Sequence, residues 1–198
     1  MKIYKYRSDE YEHLTDLLKS SEFHFSAWDK MNDPMEGYFR YYDHEHTKDR
    51  LLQIVNEKRK IKICCFSMVP DDMLLWSHYA NNHKGVCIEV DLDLDESSGV
   101  TFEPIRYKDD IQFIKKPDRS MRAVKDILSF KLSPWTYERE IRAFTSSNQP
   151  KCLKVGKITR VILGFNATQA TQDTIRNMNL DCKISKAEFD FDASEISV

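Results

Sequence analysis

The segment Trp135-Thr-Tyr-Glu-Arg-Glu-Ile-Arg142 concentrates side chains suited to chemistry. Trp, Thr, Tyr and Ile favour sheets, so it is expected as a strand. Alternation along a strand would put Glu138, Glu140 and Arg142 on one face and Tyr137, Arg139, Ile141 and Ala143 on the other. Carboxylates two residues apart repel, and each must stay hydrated or paired. Such a cluster is more expected in a cleft than in a core. On a helix, Glu138 and Arg142 would be an ordinary i,i+4 surface pair.

Four further segments hold candidate groups. In Lys5-Tyr6-Arg7-Ser8, an Arg at a strand end can take a phosphate or carboxylate through two parallel N–H bonds, or simply be solvated. In Phe23-His-Phe-Ser26, alternation gives one face to the core and the other to His24 and Ser26. Asn32-Asp-Pro-Met-Glu36 reads first as the opening of a turn or a short helix, with Asp33 as cap, Pro34 as first helical residue and Glu36 as capping-box partner. A metal site needs convergent oxygen ligands, and one loop does not show them. The run from Leu74 to Gly85 holds Trp76, His78, Tyr79 and His83. His78 and His83 are five apart, which is not a zinc spacing on a helix. Ser77 and His78 point apart on a helix, and no nucleophile elbow surrounds them. Trp76 and Tyr79, three apart, are expected to pack a core, and Gly85 to stop the helix.

The 198 residues, 41% hydrophobic and 12% aromatic, are enough for one domain with a sizeable core. The net charge of -2 gives no global case for nucleic acid or an anionic membrane, while a local basic groove stays open. No apolar run approaches the roughly 18 residues of a spanning helix. Met1-Lys-Ile-Tyr-Lys-Tyr-Arg7 has no apolar signal core, so a cytoplasmic protein is expected. Five cysteines without CxxC spacing argue against a disulfide framework and a zinc knuckle. Cys64, Cys65 and Cys87 look like buried strand residues, and no neighbouring signal marks a catalytic thiol.

The expected elements alternate irregularly. Strands are expected near 3–6, 23–26, 61–67, 85–91, 101–108, 158–164, 182–185 and 188–192. Helices are expected at 9–20 (capped by Asp9, with Glu12 completing a capping box), at 47–58 (packing through Leu51, Leu52 and Val55), at 73–80 (capped by Asp72 and largely buried) and at 168–178. Another should follow Pro117 and carry Met121, Val124, Ile127 and Leu128. An acidic turn is expected at 91–96. No βαβ regularity or glycine-rich phosphate loop appears. The reading is α+β, a single domain over 1–198 with a mainly antiparallel sheet and several packed helices. Residues 158–198 should complete the sheet.

Several of these segments resemble one bacterial family, domain of unknown function 2971. They are Lys-Tyr-Arg-Ser, Phe-Ser, Asn-Asp-Pro-x-Glu, Cys-Phe-Ser, Leu-Leu-Trp-Ser-His-Tyr-Ala, His-Lys-Gly-Val-Cys-Ile-Glu and Tyr-Glu-Arg-Glu-x-Arg, over roughly Lys5 to Arg142. The family name carries no activity. An Arg on the first strand, a Ser on a following strand and a late Glu-x-Glu are also similar to the Arg-Ser-Glu class of ADP-ribosyltransferases, although Ser26 stands in Phe-Ser-Ala rather than Ser-Thr-Ser. That resemblance implies an ADP-ribosyltransferase-like fold with NAD as substrate. Arg7 would hold the dinucleotide phosphates or ribose, Ser26 would support the site, Glu140 would be the essential carboxylate and Glu138 would help activate or orient the acceptor. Tyr6, Trp28, Tyr38 and Trp76 are eligible to stack nicotinamide. A fixed carboxylate stabilises the positive charge that builds on ribose as the glycosidic bond breaks, and losing such a group costs about 2.7–4 kcal/mol of barrier elsewhere.

Three functions follow. One is an NAD-consuming transferase or glycohydrolase, a toxin or phage-defence effector. A second is a binding or sensor module in which Arg7, Glu138, Glu140 and Arg142 recognise a nucleotide or partner. A third is a metal-dependent phosphodiesterase using Asp33, Glu36, His78, Glu138 and Glu140. The site set is Glu140 and Glu138 for catalysis, with Arg7, Ser26, Tyr6, Arg142 and His78 for binding, a small nucleotide as ligand and no metal.

Overall fold

In the computed structural model, which describes residues 1–41, 48–92, 98–114 and 121–198, period-two patterning produces the strands that frame the site. In chain order they are β1 (Lys2–Arg7), β2 (Glu22–His24), β3 (Ser26–Ala27), β4 (Ile61–Ser67), β5 (Val86–Leu92), β6 (Thr101–Pro104), β7 (Arg106–Lys108), β8 (Phe130–Leu132), β9 (Glu140–Ser146), β10 (Cys152–Lys154), β11 (Gly156–Leu163), β12 (Lys183–Lys186), β13 (Glu188–Asp190) and β14 (Glu195–Ser197). The helices are α1 (Leu14–Ser20), α2 (Lys48–Arg59), α3 (Met73–Tyr79), α4 (Met121–Leu128) and α5 (Gln169–Arg176).

The main sheet runs β12-β11-β5-β1-β4-β9-β6, with β3 also on β4. Its neighbours are antiparallel except β11 and β12. The class is therefore α+β with a mainly antiparallel sheet. The parallel pair is a single βαβ unit within an otherwise antiparallel sheet, with α5 supplying the crossover such a pair requires.

One sheet face buries Ile3, Phe66, Ile88, Ala143 and Leu163 against Leu14, Leu17 and Leu18 of α1 and Ile175 of α5. The other carries two separate clusters. Tyr6, Cys87 and Ile162 pack with Leu75 and Trp76 of α3. Ile61, Ile63 and Phe144 pack with Val124 and Leu128 of α4. Alternation puts Ser67 on the face of Ile63, and Glu140 and Arg142 on the face of Phe144. A polar strip thus lies between the two apolar clusters.

The sheet is split beside this strip. β1 follows β5 from Lys2↔Asp91 to Arg7↔Val86, and β4 follows β9 from Ile61↔Ser146 to Ser67↔Glu140. Yet β1 and β4 share a single pair, Tyr4↔Ser67. Beyond it β3 takes the β4 edge, at Ser26↔Ile63 and Ala27↔Lys62. The edge between these contacts is unpaired, and the Lys5 ammonium donates to the Cys65 carbonyl there. A buried strand carbonyl needs such a donor once its ladder partner has left.

Several expectations are corrected. α1 starts at Leu14 without a side-chain cap. Asp9 is recruited elsewhere, accepting from Asn81 Nδ2 at 2.9 Å and Thr171 Oγ1 at 3.4 Å. The expected strand 23–26 breaks at Phe25, where the chain leaves the β10 ribbon and joins β4. α2 packs through Ile54 and Lys58, while Leu52 stays 59% exposed. α3 buries Leu75 and Trp76 but leaves Met73 and Leu74 exposed. The expected strand 101–108 is two pieces, separated at Ile105. Pro117 and residues 93–96 of the acidic turn lie outside the described residues.

Asp72 caps α3 as expected, accepting from Leu74 N and Leu75 N. Gly85 does more than stop that helix. A Cβ there would lie 2.1 Å from the Arg7 carbonyl, so glycine permits the close approach that sets the end of β1. No helix among the described residues is long and apolar enough to cross a membrane.

Candidate functional site

A cleft of about 220 Å³ opens along the split between β1 and β4. Its floor comes from β4, β8, β9 and the 3-10 turn 133–138, and its mouth from β1, β2 and β3.

The floor differs from the expected three-residue strand face. Residues 133–138 form a 3-10 helix that Pro134 can begin, and Arg139 then turns left-handed at φ 42° before β9 starts. Glu140 and Arg142 share a strand face, as alternation predicts. Glu138 reaches the same place from the preceding turn. Met68 N donates to Arg139 O at 2.9 Å, and Ser67 Oγ donates to Glu138 O at 2.7 Å, fixing the reversal.

Arg142 is fully buried. Its Nε donates to Glu140 Oε1 at 2.7 Å and its Nη2 to Glu140 Oε2 at 3.2 Å. Nη1 and Nη2 grip the two oxygens of Glu36 at 2.5 and 2.7 Å, and Nη1 also reaches the Leu128 carbonyl at 2.5 Å. These five bonds use every N–H of the guanidinium. Glu36 is delivered by a tight turn in which Asp33 Oδ1 accepts from Met35 N at 2.8 Å and Glu36 N donates to Asp33 O at 3.0 Å. Asp33 caps a turn, as read from the sequence, but Glu36 is a partner of Arg142 rather than a capping-box residue.

Lys131 bridges the other two carboxylates. Its ammonium lies 2.5 Å from Glu138 Oε2 and 2.8 Å from Glu140 Oε2, and stands over the Trp135 ring. Tyr79 donates to the remaining Glu138 oxygen at 2.6 Å. Every oxygen of Glu36, Glu138 and Glu140 therefore has a donor. Burial alone would raise the Glu140 acid, but Arg142 and Lys131 hold it far below the usual carboxylate range. Burial alone would lower Lys131, yet Glu140 and Glu138 outweigh it and raise it. Burial raises the Tyr79 phenol, reinforced by the Glu138 bond. Tyr107, whose oxygen accepts Glu140 N–H at 2.8 Å, is pushed up to about 12, first by burial.

The mouth is built the other way. Among the described residues, the Lys5 ammonium bonds a backbone carbonyl and lies 5.4 Å from the Phe66 ring centroid, and the Arg7 guanidinium lies over the Tyr11 ring with Nε buried and without a hydrogen-bond partner. Among the described residues no carboxylate pairs with either. Burial lowers the Lys5 ammonium, and neighbouring Arg7 lowers it further. His24 and Ser26 complete the rim, Ser26 Oγ lying 3.3 Å from His24 Nδ1.

Of the residues singled out from sequence, Arg7, Ser26, Tyr6, Glu138, Glu140 and Arg142 line this cleft. His78 does not. It sits exposed on α3, near the rings of Tyr79 and Tyr137. The eligible stacking residue Trp76 is fully buried in the core, while Tyr6 and the unanticipated Trp135 reach the cleft wall. Lys131 and Lys5 were not singled out for chemistry. A lone lysine in the apolar strand Phe130-Lys-Leu132 was the available sign of a buried ion pair. No group of three or more His, Cys, Asp or Glu able to hold a metal occurs among the described residues.

The family model for proteins of unknown function, DUF2971, matches residues 75–143. This stretch holds Tyr79, Lys131, Glu138, Glu140 and Arg142, whereas the residues of the mouth precede it. Neither a curated protein nor a solved structure matches the chain.

Proposed function

We propose that the cleft binds a NAD-type dinucleotide and acts on its nicotinamide N-glycosidic bond, as an ADP-ribosyltransferase or NAD glycohydrolase. One observation carries this reading: the cleft is bipolar, with cations lacking acidic partners among the described residues at the mouth and, at the floor, a carboxylate cluster in which Glu140 is held anionic. Such a dinucleotide is bipolar in the matching sense, with an anionic diphosphate and a cationic pyridinium joined through ribose. Arg7 and Lys5 take the diphosphate, and Tyr6 and Trp135 flank the nicotinamide ribose. The cleft volume suits that half of the ligand, leaving the adenosine over the open rim.

Breaking the C1′–N bond sends its electron pair to nicotinamide, which leaves neutral, and leaves positive charge on the ribose. Glu138 and Glu140 face that charge, and Glu140 stays anionic throughout the neutral range. Fixed charge of this kind needs no reorganisation as the bond breaks. Water or an acceptor nucleophile then bonds to C1′ and gives its proton to Glu138. Arg142, Glu36 and Lys131 act by holding the carboxylates in place. An effector consuming cytoplasmic NAD, in a toxin or phage-defence setting, fits this chemistry.

The test is nicotinamide release from NAD by the purified protein beside a Glu138→Gln variant of equal melting temperature. Release by the wild type, reduced at least about a hundredfold in the variant, supports the reading. An intact NAD pool with protein in excess overturns it. A second reading, nucleotide binding without turnover, is favoured by the full occupancy of the carboxylate oxygens. It predicts a rise in melting temperature with ADP-ribose and no nicotinamide release.

A further inference from the structure

We propose that Lys5, Arg7, His24 and Ser26 form a proton-linked phosphoryl site, in which an incoming diphosphate draws a proton onto His24 and turns the Ser26 hydroxyl toward the ligand. The inference rests on the reading that the cleft takes a phosphorylated ligand, but it requires no bond to be broken.

The geometry starts from the β2–β10 ribbon. His24 faces Cys152 across it, and Lys151 O accepts from Phe25 N at 2.7 Å, bringing the start of β10 beside the cleft mouth. Lys5 and Arg7 approach from β1 on the other side of the split. Around His24 stand Arg7 and Lys5 of β1, Lys151 before β10, and His13 before α1. On its own strand Glu22 is the nearest acid, and it faces Lys154 in register. Burial and these four basic neighbours depress the imidazole below its ordinary value. An anion seated among them offsets that field and favours the imidazolium relative to the empty site.

The Ser26–His24 contact converts this proton into a hydrogen bond. A neutral imidazole can accept from the Ser26 hydroxyl at Nδ1. The imidazolium carries a proton on both nitrogens, so Nδ1 must donate to Ser26 Oγ instead. The hydroxyl hydrogen is then free to turn to a phosphate oxygen. Arg7 Nε, buried and without a partner, supplies a further donor.

The probe is ADP-ribose, whose diphosphate diester does not titrate near neutrality. Its affinity is measured by calorimetry between about pH 5.5 and pH 8, with buffers of differing ionisation heat to count protons. Wild-type protein should bind roughly three- to tenfold more tightly at the acid end, with net proton uptake, since one linked proton limits the change to about tenfold per pH unit. His24→Gln should abolish both the slope and the uptake. Ser26→Ala should keep the proton uptake and lose affinity at the acid end. A pH-independent affinity, a slope retained in His24→Gln, or no ADP-ribose binding at all overturns the proposal. NAD left intact while ADP-ribose binds with proton uptake would remove the catalytic reading and leave this one standing.

Discussion

The floor and mouth of the cleft use the same residue types and treat charge in opposite ways. At the floor, Arg142 and Lys131 meet Glu36, Glu138 and Glu140, and each carboxylate oxygen has a donor. At the mouth, Lys5 and Arg7 stand in the opened sheet against a carbonyl and two aromatic rings, with no carboxylate partner among the described residues. Satisfied buried charge fixes structure, because removing one partner strands the others. Charge left without a counterion keeps its attraction for a ligand. The floor should therefore respond to substitution through stability as well as turnover, and the mouth through binding.

The largest expected effect is on the floor. Arg142→Met would leave Glu36 and Glu140 buried without their cation, at a cost of about 3–5 kcal/mol in urea unfolding. A loss below about 1 kcal/mol would remove the floor's structural role. Next comes Gly37→Ala, in the turn that follows Glu36. Gly37 has φ +69°, and an added Cβ would meet Leu128 Cδ2 at 3.1 Å. A cost of about 1–2 kcal/mol is expected, read as a lower melting temperature.

Lys58 sharpens the comparison, being buried without a carboxylate bridge among the described residues. Its ammonium donates to Gly37 O at 3.0 Å and lies 3.9 Å from the Trp28 ring centroid. Burial, only partly offset by Glu36, lowers it from 10.5 to about 8. Between those values the unfolded chain holds the extra proton, so stability should rise with pH across that window. Lys58→Met should remove the rise, as equilibrium unfolding at stepped pH would reveal. The smallest stability effect belongs to the mouth: Arg7→Met should change unfolding by no more than about 0.5 kcal/mol while weakening ADP-ribose binding. A large stability loss there would erase the contrast between the two regions.

Local pattern carried much of the fold. The apolar run Ile61–Ser67 is β4 to the residue, and Asp72 caps α3, because both depend on neighbours in the chain. The start of α1 was not legible, since Asp9 finds better partners in Asn81 and Thr171, far away in sequence. The site divides along the same line. Glu140 and Arg142 could be placed on one face by alternation, and His24 with Ser26 likewise. Left-handed Arg139 breaks that rule for Glu138, which rejoins Glu140 only through Lys131. Glu36 arrives from more than a hundred residues upstream, and the parting of β1 from β4 is a property of the whole sheet that no local spacing encodes.

The most direct test measures ADP-ribose binding and nicotinamide release from NAD in the wild type, Arg7→Met and Glu138→Gln at matched folded fractions. A recognising mouth and a reacting floor predict that Arg7→Met loses both, while Glu138→Gln keeps binding and loses release. Release undiminished in Glu138→Gln, or NAD untouched by the wild type, would contradict that division.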